Sequence, residues 1–319
     1  VVDSHQKEII MRILVVGAGA TGGYFGGRLA QAGRDVTFLV RPGRAKTLEQ
    51  QGLQILSPQG NLTLHPQWVT ADKLNQTYDL ILLTVKAFYL EQAMSDIAPA
   101  VGSDTVVMPI LNGFRHLETL TARFGAAAVI GGLCKIASTL DEQGRVVHLN
   151  DLHLIAYGEL AGGRSDRIIQ IEQTFQGAGF TTHASDDIIS EMWEKWILLA
   201  SLGTITCLMR GTIGQTARAD GGEAFALAVI EEITSILEAQ GYRRNQPFLN
   251  QTRGMLTDKN STMTSSMYRD MIGGNPVEAD QILGDLARLA DKAGLSTPLL
   301  AAARTHMSVY QQSRAADDA

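Results

Sequence analysis

Three glycines, at Gly17, Gly19 and Gly22 of Gly17-Ala18-Gly19-Ala20-Thr21-Gly22, have the spacing that speaks most directly of chemistry. Glycine at these positions permits a tight turn and lets backbone N–H groups approach an anion with no side chain intervening. The flanks decide what kind of anion. The β-rich run Arg12-Ile13-Leu14-Val15-Val16 leads into the turn, a helix-like segment covers 24–31, and a second β-like run covers 36–40. Strand, G-x-G-x-x-G, helix and strand in that order is the setting in which a dinucleotide pyrophosphate sits at a helix N-terminus. Outside that order the glycines would mark an ordinary turn; within it, dinucleotide binding is the reading taken.

The next residues, Arg41-Pro42-Gly43-Arg44, refine that reading. A carboxylate here usually accepts from the ribose 2′-hydroxyl of NAD. This chain has none, and offers two arginines suited to charge-assisted hydrogen bonds with a 2′-phosphate. NADP(H) is therefore favoured, with Arg41 as the candidate ligand; the blander alternative is a pair of solvated loop arginines. Two more polar residues end β-like runs where open α/β sheets place their ligands. Lys86 closes the apolar run 78–86, and Asn112 closes 105–111 beside Gly113. A solvated cap would explain the lysine, and a turn residue next to glycine would explain the asparagine.

The elements that must hold these residues follow from periodicity. Residues 53–56 and 62–64 look like a hairpin about Ser57-Pro58-Gln59-Gly60, and the continuous apolar run near 80 has the look of a strand buried in a parallel sheet. A helix is expected over 89–98. Three β-like runs at 132–140, 146–149 and 153–157 suggest antiparallel strands appended to that sheet, then a helix over 165–177 and a strand over 180–183. Beyond residue 185 the chain reads as helical. The fold class is thus α/β, a Rossmann-type domain with a mixed-sheet extension over 11–185 and an all-α domain over 186–319, with 1–10 an extension ahead of Met11.

Composition sets wider bounds. At 319 residues with 45% hydrophobic and 19% charged residues, the chain has the composition of an ordinary two-domain globular protein. A net charge of -6 without any basic block argues against a nucleic-acid partner. Cys134 and Cys207 have no redox or metal spacing, which suits a reducing cytoplasm, and seven scattered histidines argue against a metal site. The longest apolar stretch, 196–209, is too short to span a bilayer, so no membrane partner is expected.

In the helical half, Ser185-Asp186-Asp187 makes a good helix start, and the helix it opens carries Lys195 between Trp193 and Trp196. A lysine snorkelling from an apolar segment is the simple explanation. Further helices are expected over 223–240 and around 261–271. Asn275-Pro276-Val277-Glu278 reads as a capping box, with Asn275 at N-cap and Glu278 at N3 of a helix that stops at Gly294. That is a complete structural reason for the glutamate. Thr297-Pro298 opens the last helix, which looks frayed from Arg314 onward.

Taken together, Gly17-Ala18-Gly19-Ala20-Thr21-Gly22, Val85-Lys86-Ala87, Leu111-Asn112-Gly113, Trp193-Glu194-Lys195, and Ser265-Ser266-Met267 with Asp270 and Glu278 make the chain resemble the ketopantoate reductases (2-dehydropantoate 2-reductases) from Met11 to about Gln312. The resemblance implies NADPH-dependent reduction of a 2-oxo acid, 2-dehydropantoate first among them. It implies Lys195 as general acid, Glu278 contacting substrate or orienting that lysine, and Ser266 on the substrate carboxylate. Asn112 is implied near the nicotinamide, Lys86 in the same site and Arg41 on the 2′-phosphate, the glycine turn from Gly17 to Gly22 holding the pyrophosphate. A cation beside a carbonyl oxygen fits hydride transfer, since it stabilises the developing charge and donates the proton. Many members carry asparagines four and eight residues after the lysine and another further on; here those positions are Leu199, Gly203 and Ile213. The substrate is therefore less well marked than the reaction. A β-hydroxyacid dehydrogenase and an NADP(H)-sensing protein are the alternatives, and the sensor has no need of Lys195, Ser266 and Glu278 together. Oligomeric state is not legible; a homodimer through the helical half is a guess.

Overall fold

The computed structural model is described over residues 11–317, so the expected extension at 1–10 and residues 318 and 319 of the expected frayed end lie outside the described residues. The chain begins with β1 (Arg12–Val16), the glycine turn, α1 (Ala20–Gln31), β2 (Asp35–Leu39) and α2 (Pro42–Gln51). β3 (Leu53–Leu56) and β4 (Leu62–Leu64) pair antiparallel as expected, with Ile55 opposite Leu62. β5 (Gln67–Val69), β6 (Leu80–Leu83), a 3-10 turn over Ala87–Tyr89, α3 (Leu90–Ile97), β7 (Val106–Pro109) and α4 (Arg115–Phe124) follow. The order β5-β2-β1-β6-β7 makes a five-stranded parallel sheet. Ile13, Leu14, Val15 and all of β6 are buried, as a strand covered on both faces requires. Successive strands build outward in both directions from β1, so the glycine turn lies at the switch point where such sheets bind ligands.

β8 (Gly131–Leu140), β9 (Val146–Gly158), α5 (Asp166–Phe175) and β10 (Thr181–Ala184) complete the α/β part. The strands after residue 130 are not appended to the parallel sheet. They form a second, mixed sheet with β3 and β4, in the order β10-β9-β3-β4 with β8 also on β9. The two runs read separately at 146–149 and 153–157 are one strand, β9. Its pairing with β8 slips between Ile136 and Ser138, and this irregularity absorbs the polar residues that look like a loop in sequence.

The remaining helices are α6 (Ile188–Met209), α7 (Ile213–Arg218), α8 (Gly222–Glu238), α9 (Gln246–Leu256), α10 (Ser266–Ile272), a π turn over Asp280–Gly284 running into α11 (Asp285–Ala293), and α12 (Pro298–Asp317). Beyond Lys195, α6 is mostly apolar, and Trp196, Ile197, Ala200, Ile205 and Cys207 are all buried, as befits a central core helix. α11 stops at Gly294 in the left-handed conformation (φ 67°), as the sequence suggests. α12 continues as helix past Arg314, where fraying was expected; the Arg314 Nε donates to Gly274 O at 3.0 Å and ties the last turns down.

The packing divides the chain into two units. Of the described residues, one takes 11–111 and His116–Ile189; the other takes 190–317 together with the four residues Asn112–Arg115. Each has its own hydrophobic core, one built around Phe25, Phe38 and Ile155, the other around Trp196, Ile230 and Leu286.

Candidate active site

In the α/β unit the site starts from the turn after β1. Gly17 has φ +98°, a backbone conformation that a side chain would strain. A Cβ on Gly22 would lie 2.1 Å from the Gly17 carbonyl and 2.2 Å from Thr84 Oγ1, so only glycine allows α1 this close to the turn. Thr84 braces the arrangement by donating to Val16 O at 2.8 Å. Gly19, by contrast, faces open space, and as N-cap of α1 it brings no side-chain acceptor for the first N–H groups of the helix. Gly17, Ala18, Gly19, Ala20, Thr21 and Gly22 thus form an open cradle of backbone donors, which fits a dinucleotide pyrophosphate.

The two arginines after β2 have different tasks. Arg44 is partly buried; its Nε donates to Ala18 O at 3.0 Å and its Nη1 to Gly144 O at 2.8 Å, so it braces the glycine turn from behind, and burial pulls its pKa down. Arg41 is exposed, with its guanidinium carbon 4.1 Å from the centroid of the Tyr89 ring. Tyr89 in turn meets Phe88 edge to face at 4.6 Å, and Lys86 Nζ lies 5.9 Å from the Phe88 ring. Arg41 and Lys86, distant in sequence, are joined through an exposed aromatic pair that sequence reasoning did not single out.

In the helical unit three other expected residues share one scaffold. Gly113 (φ +82°) packs so tightly that a Cβ there would come within 2.9 Å of Gln281 O, which seats the segment carrying Asn112 on the π turn. Next to it, the Phe114 ring stacks on Trp196 (5.7 Å between centroids, 18° between planes) and meets Trp193 at 4.6 Å. These are the two indoles that flank Lys195. Trp196 Nε1 then donates to Ile282 O at 2.9 Å, back in the π turn, while Ile282 N donates to Glu278 O at 3.1 Å. Arg115 completes the clasp, 3.5 Å from Asp280 and 3.6 Å from Asp285. Asp285 also pairs with Arg288, and burial raises its carboxyl above the ordinary range. Asn112, Lys195 and Glu278 therefore come from three remote stretches tied to one π turn, a feature often found at functional sites.

The capping-box expectation for Glu278 does not hold. Asn275 N donates to Asp270 O at 2.8 Å, so Asn275 finishes α10 and does not start the next helix. Its carbonyl accepts from Tyr310 Oη at 2.8 Å, and helical structure begins only after Glu278. At the start of α10 the adjacent serines divide their tasks. Ser265 is buried, accepts from Tyr268 N at 2.9 Å as N-cap and sits 2.9 Å from Thr206 Oγ1 on α6; Ser266 is exposed. Two of the three departures from the asparagine pattern, Ile213 and Gly203, sit against the core. Ile213 is fully buried in the core, and a side chain at Gly203 would meet the Met267 terminal methyl at 2.6 Å.

Residues 13–162 match the family model described as ketopantoate reductase PanE/ApbA, and residues 187–311 match that of its C-terminal domain. The chain belongs to the ketopantoate reductase family. An uncharacterized oxidoreductase of Bacillus subtilis, YkpB, is 36% identical over 94% of this chain and 99% of its own length. A 2-dehydropantoate 2-reductase of Mesorhizobium japonicum is 29% identical over 88% of this chain and 93% of its own. Among solved structures, the 2-dehydropantoate 2-reductase of Geobacter metallireducens superposes with a TM-score of 0.85 at 26% identity, covering 93% of this chain and 99% of that one. As a ketopantoate reductase family member the chain is an oxidoreductase with the nicotinamide cofactor NADP(H), and the α/β fold followed by a helical unit is the family's. Among the described residues no group of side chains could hold a metal, and no helix is long and apolar enough to cross a membrane.

Proposed function

We propose that the chain reduces a 2-oxo acid to the 2-hydroxy acid with NADPH, and that 2-dehydropantoate, yielding pantoate for pantothenate biosynthesis in the cytoplasm, is the first substrate to test. The observation that carries this reading is the common scaffold of Asn112, Lys195 and Glu278 in a chain whose glycine turn fits a dinucleotide. Bound NADPH supplies the hydride that adds to the carbonyl carbon. The chain's residues do the rest. Gly17 to Gly22 take the pyrophosphate through backbone N–H groups, and Arg41 takes the 2′-phosphate. Asn112 holds the nicotinamide end and Lys86 lines the same site. Ser266, left exposed while Ser265 does the capping, takes the substrate carboxylate. Lys195 stabilises the charge growing on the carbonyl oxygen and donates its proton there, with Glu278 fixing the ammonium or touching substrate.

The side chain of the acid is the open variable within this reading. With Ile213 in the core and Met267 over Gly203, a 4-hydroxyl must find its partner elsewhere, and Thr264 is already engaged by Arg269. A panel of 2-oxo acids with and without a 4-hydroxyl, followed by NADPH absorbance, ranks the substrates. On the best of them Lys195→Ala is expected to lower kcat roughly 10²–10⁴-fold with NADPH affinity nearly unchanged. An active Lys195→Ala enzyme would remove the lysine from its role, and no turnover on any 2-oxo acid would end the proposal.

A further inference from the structure

We infer that Phe114 is a positioning residue, whose ring sets the angle at which α6 presents Lys195. This rests on the reading of Lys195 as proton donor. Trp193 and Trp196 are an i,i+3 pair and so share one face of α6. The Phe114 ring covers both, 4.6 Å from one indole and 5.7 Å from the other, while the indoles lie 6.3 Å apart. Lys195 is one step round the helix from Trp196. Locking that pair of indoles locks the rotation of the turn carrying the ammonium.

The lock is anchored at both ends. Phe114 cannot drift, because Gly113 lies against Gln281 O and Arg115 lies between Asp280 and Asp285. Trp196 cannot rotate without breaking its bond to Ile282 O, deep in the same π turn. Rotating α6 by about 10° would move a side-chain tip at ~6 Å radius by ~1 Å. A displacement of that size at a reacting group can cost about a hundredfold in rate. Phe114 thus connects the segment bearing Asn112 to the turn bearing Lys195 without being required to touch substrate or cofactor.

The test uses the whole protein and two substitutions. Phe114→Leu keeps an apolar side chain of similar volume and removes the ring; Phe114→Tyr keeps the ring. Phe114→Leu is expected to lower kcat about tenfold to a hundredfold, with the NADPH dissociation constant from fluorescence titration and the melting temperature close to those of the parent. Phe114→Tyr is expected to restore turnover to within about threefold. A readout without turnover runs alongside, the pH dependence of trace acetylation of Lys195 in nucleotide-free protein, read by peptide mass; its midpoint is expected to move by about half a pH unit or more in Phe114→Leu. Unchanged kcat and an unchanged midpoint in Phe114→Leu would overturn the inference, and so would a loss of rate that tracks only lost folded protein. Lys195→Ala is measured in parallel. An inactive Lys195→Ala beside a fully active Phe114→Leu defeats the positioning role alone, and an active Lys195→Ala defeats the reading beneath it.

Discussion

Arginine and lysine are each used in this chain both to build the fold and, on our reading, to hold ligands, and residue type alone does not separate the two uses. Arg41 and Arg44 looked equivalent in sequence. The difference lies in what the fold brings behind them: Arg44 meets the carbonyls of Ala18 and Gly144, and the exposed Arg41 lies over the face of Tyr89. Arg44 spends two hydrogen bonds on backbone carbonyls, and the proposal gives the 2′-phosphate to the exposed Arg41. Arg41→Ala should therefore weaken NADPH binding by roughly ten- to a hundredfold, the worth of a charge-assisted hydrogen bond or two, and leave NADH almost unaffected. Titrating both nucleotides against the parent and the variant checks this, and equal losses would remove Arg41 from the phosphate. Glu278 gives the converse lesson. Its sequence context supplied a sufficient structural reason, an N3 cap, yet the hydrogen bond from Asn275 N to Asp270 O shifts the helix start past it. Local sequence cannot register that bond, because it depends on how α10 ends.

Elements were legible where their pattern was local and strong. The order strand, glycine turn, helix, strand could be read from residues 12–40, and the buried run of β6 announced a parallel sheet. What escaped notice were short helices whose signals are caps more than apolar stripes. α7 opens on a true capping box, Thr212 with Gln215, and α9 on Asn245, whose side chain accepts from Phe248 N. The mixed sheet was misjudged for a different reason: strand partnership is non-local, and nothing in 146–158 says that β3, ninety residues earlier, lies beside it. That sheet packs a histidine pair, His148 and His153, against Tyr24 of α1. Tyr24 Oη is 2.7 Å from His153 Nδ1, and His148 stacks on His153 at 5.7 Å while bonding Ser57 Oγ and Leu152 O. Burial, then the His148 and Arg28 charges, lower the His153 pKa below its ordinary 6.5, with Asp151 opposing. A ring whose folded pKa is depressed favours the neutral form. Its contribution to stability is complete above about pH 6.5 and is lost as the pH falls through the lower folded value. The melting temperature should thus decline between pH 7.5 and pH 5, and His153→Gln should flatten part of that decline. A variant whose slope matches the parent's would assign the acid sensitivity to other groups.

At the scale of the whole molecule, the sequence suggested two halves but not that four residues from the first would pack with the second. Asn112–Arg115 come soon after β7, yet Gly113, Phe114 and Arg115 make their contacts with α6 and the π turn. The reason is physical: Phe114 packs its ring on Trp193 and Trp196, and Arg115 pairs with Asp280 and Asp285, none of them near in sequence. Two separate cores have a thermodynamic consequence. A ligand that binds only the native α/β unit stabilises that unit by RT ln(1 + [L]/Kd), about 2.7 kcal/mol at a hundredfold excess over Kd. Adenosine 2′,5′-bisphosphate carries the 2′-phosphate and one phosphate of the pyrophosphate, the groups proposed for Arg41 and the glycine turn. In hydrogen exchange it should slow amides of β1, α1 and β2 that exchange through opening of that unit by up to about a hundredfold. The amides of α8 and α9, in the core around Ile230, should exchange as before if the units open independently. Equal protection in α8 would mean that the two cores unfold as one cooperative body.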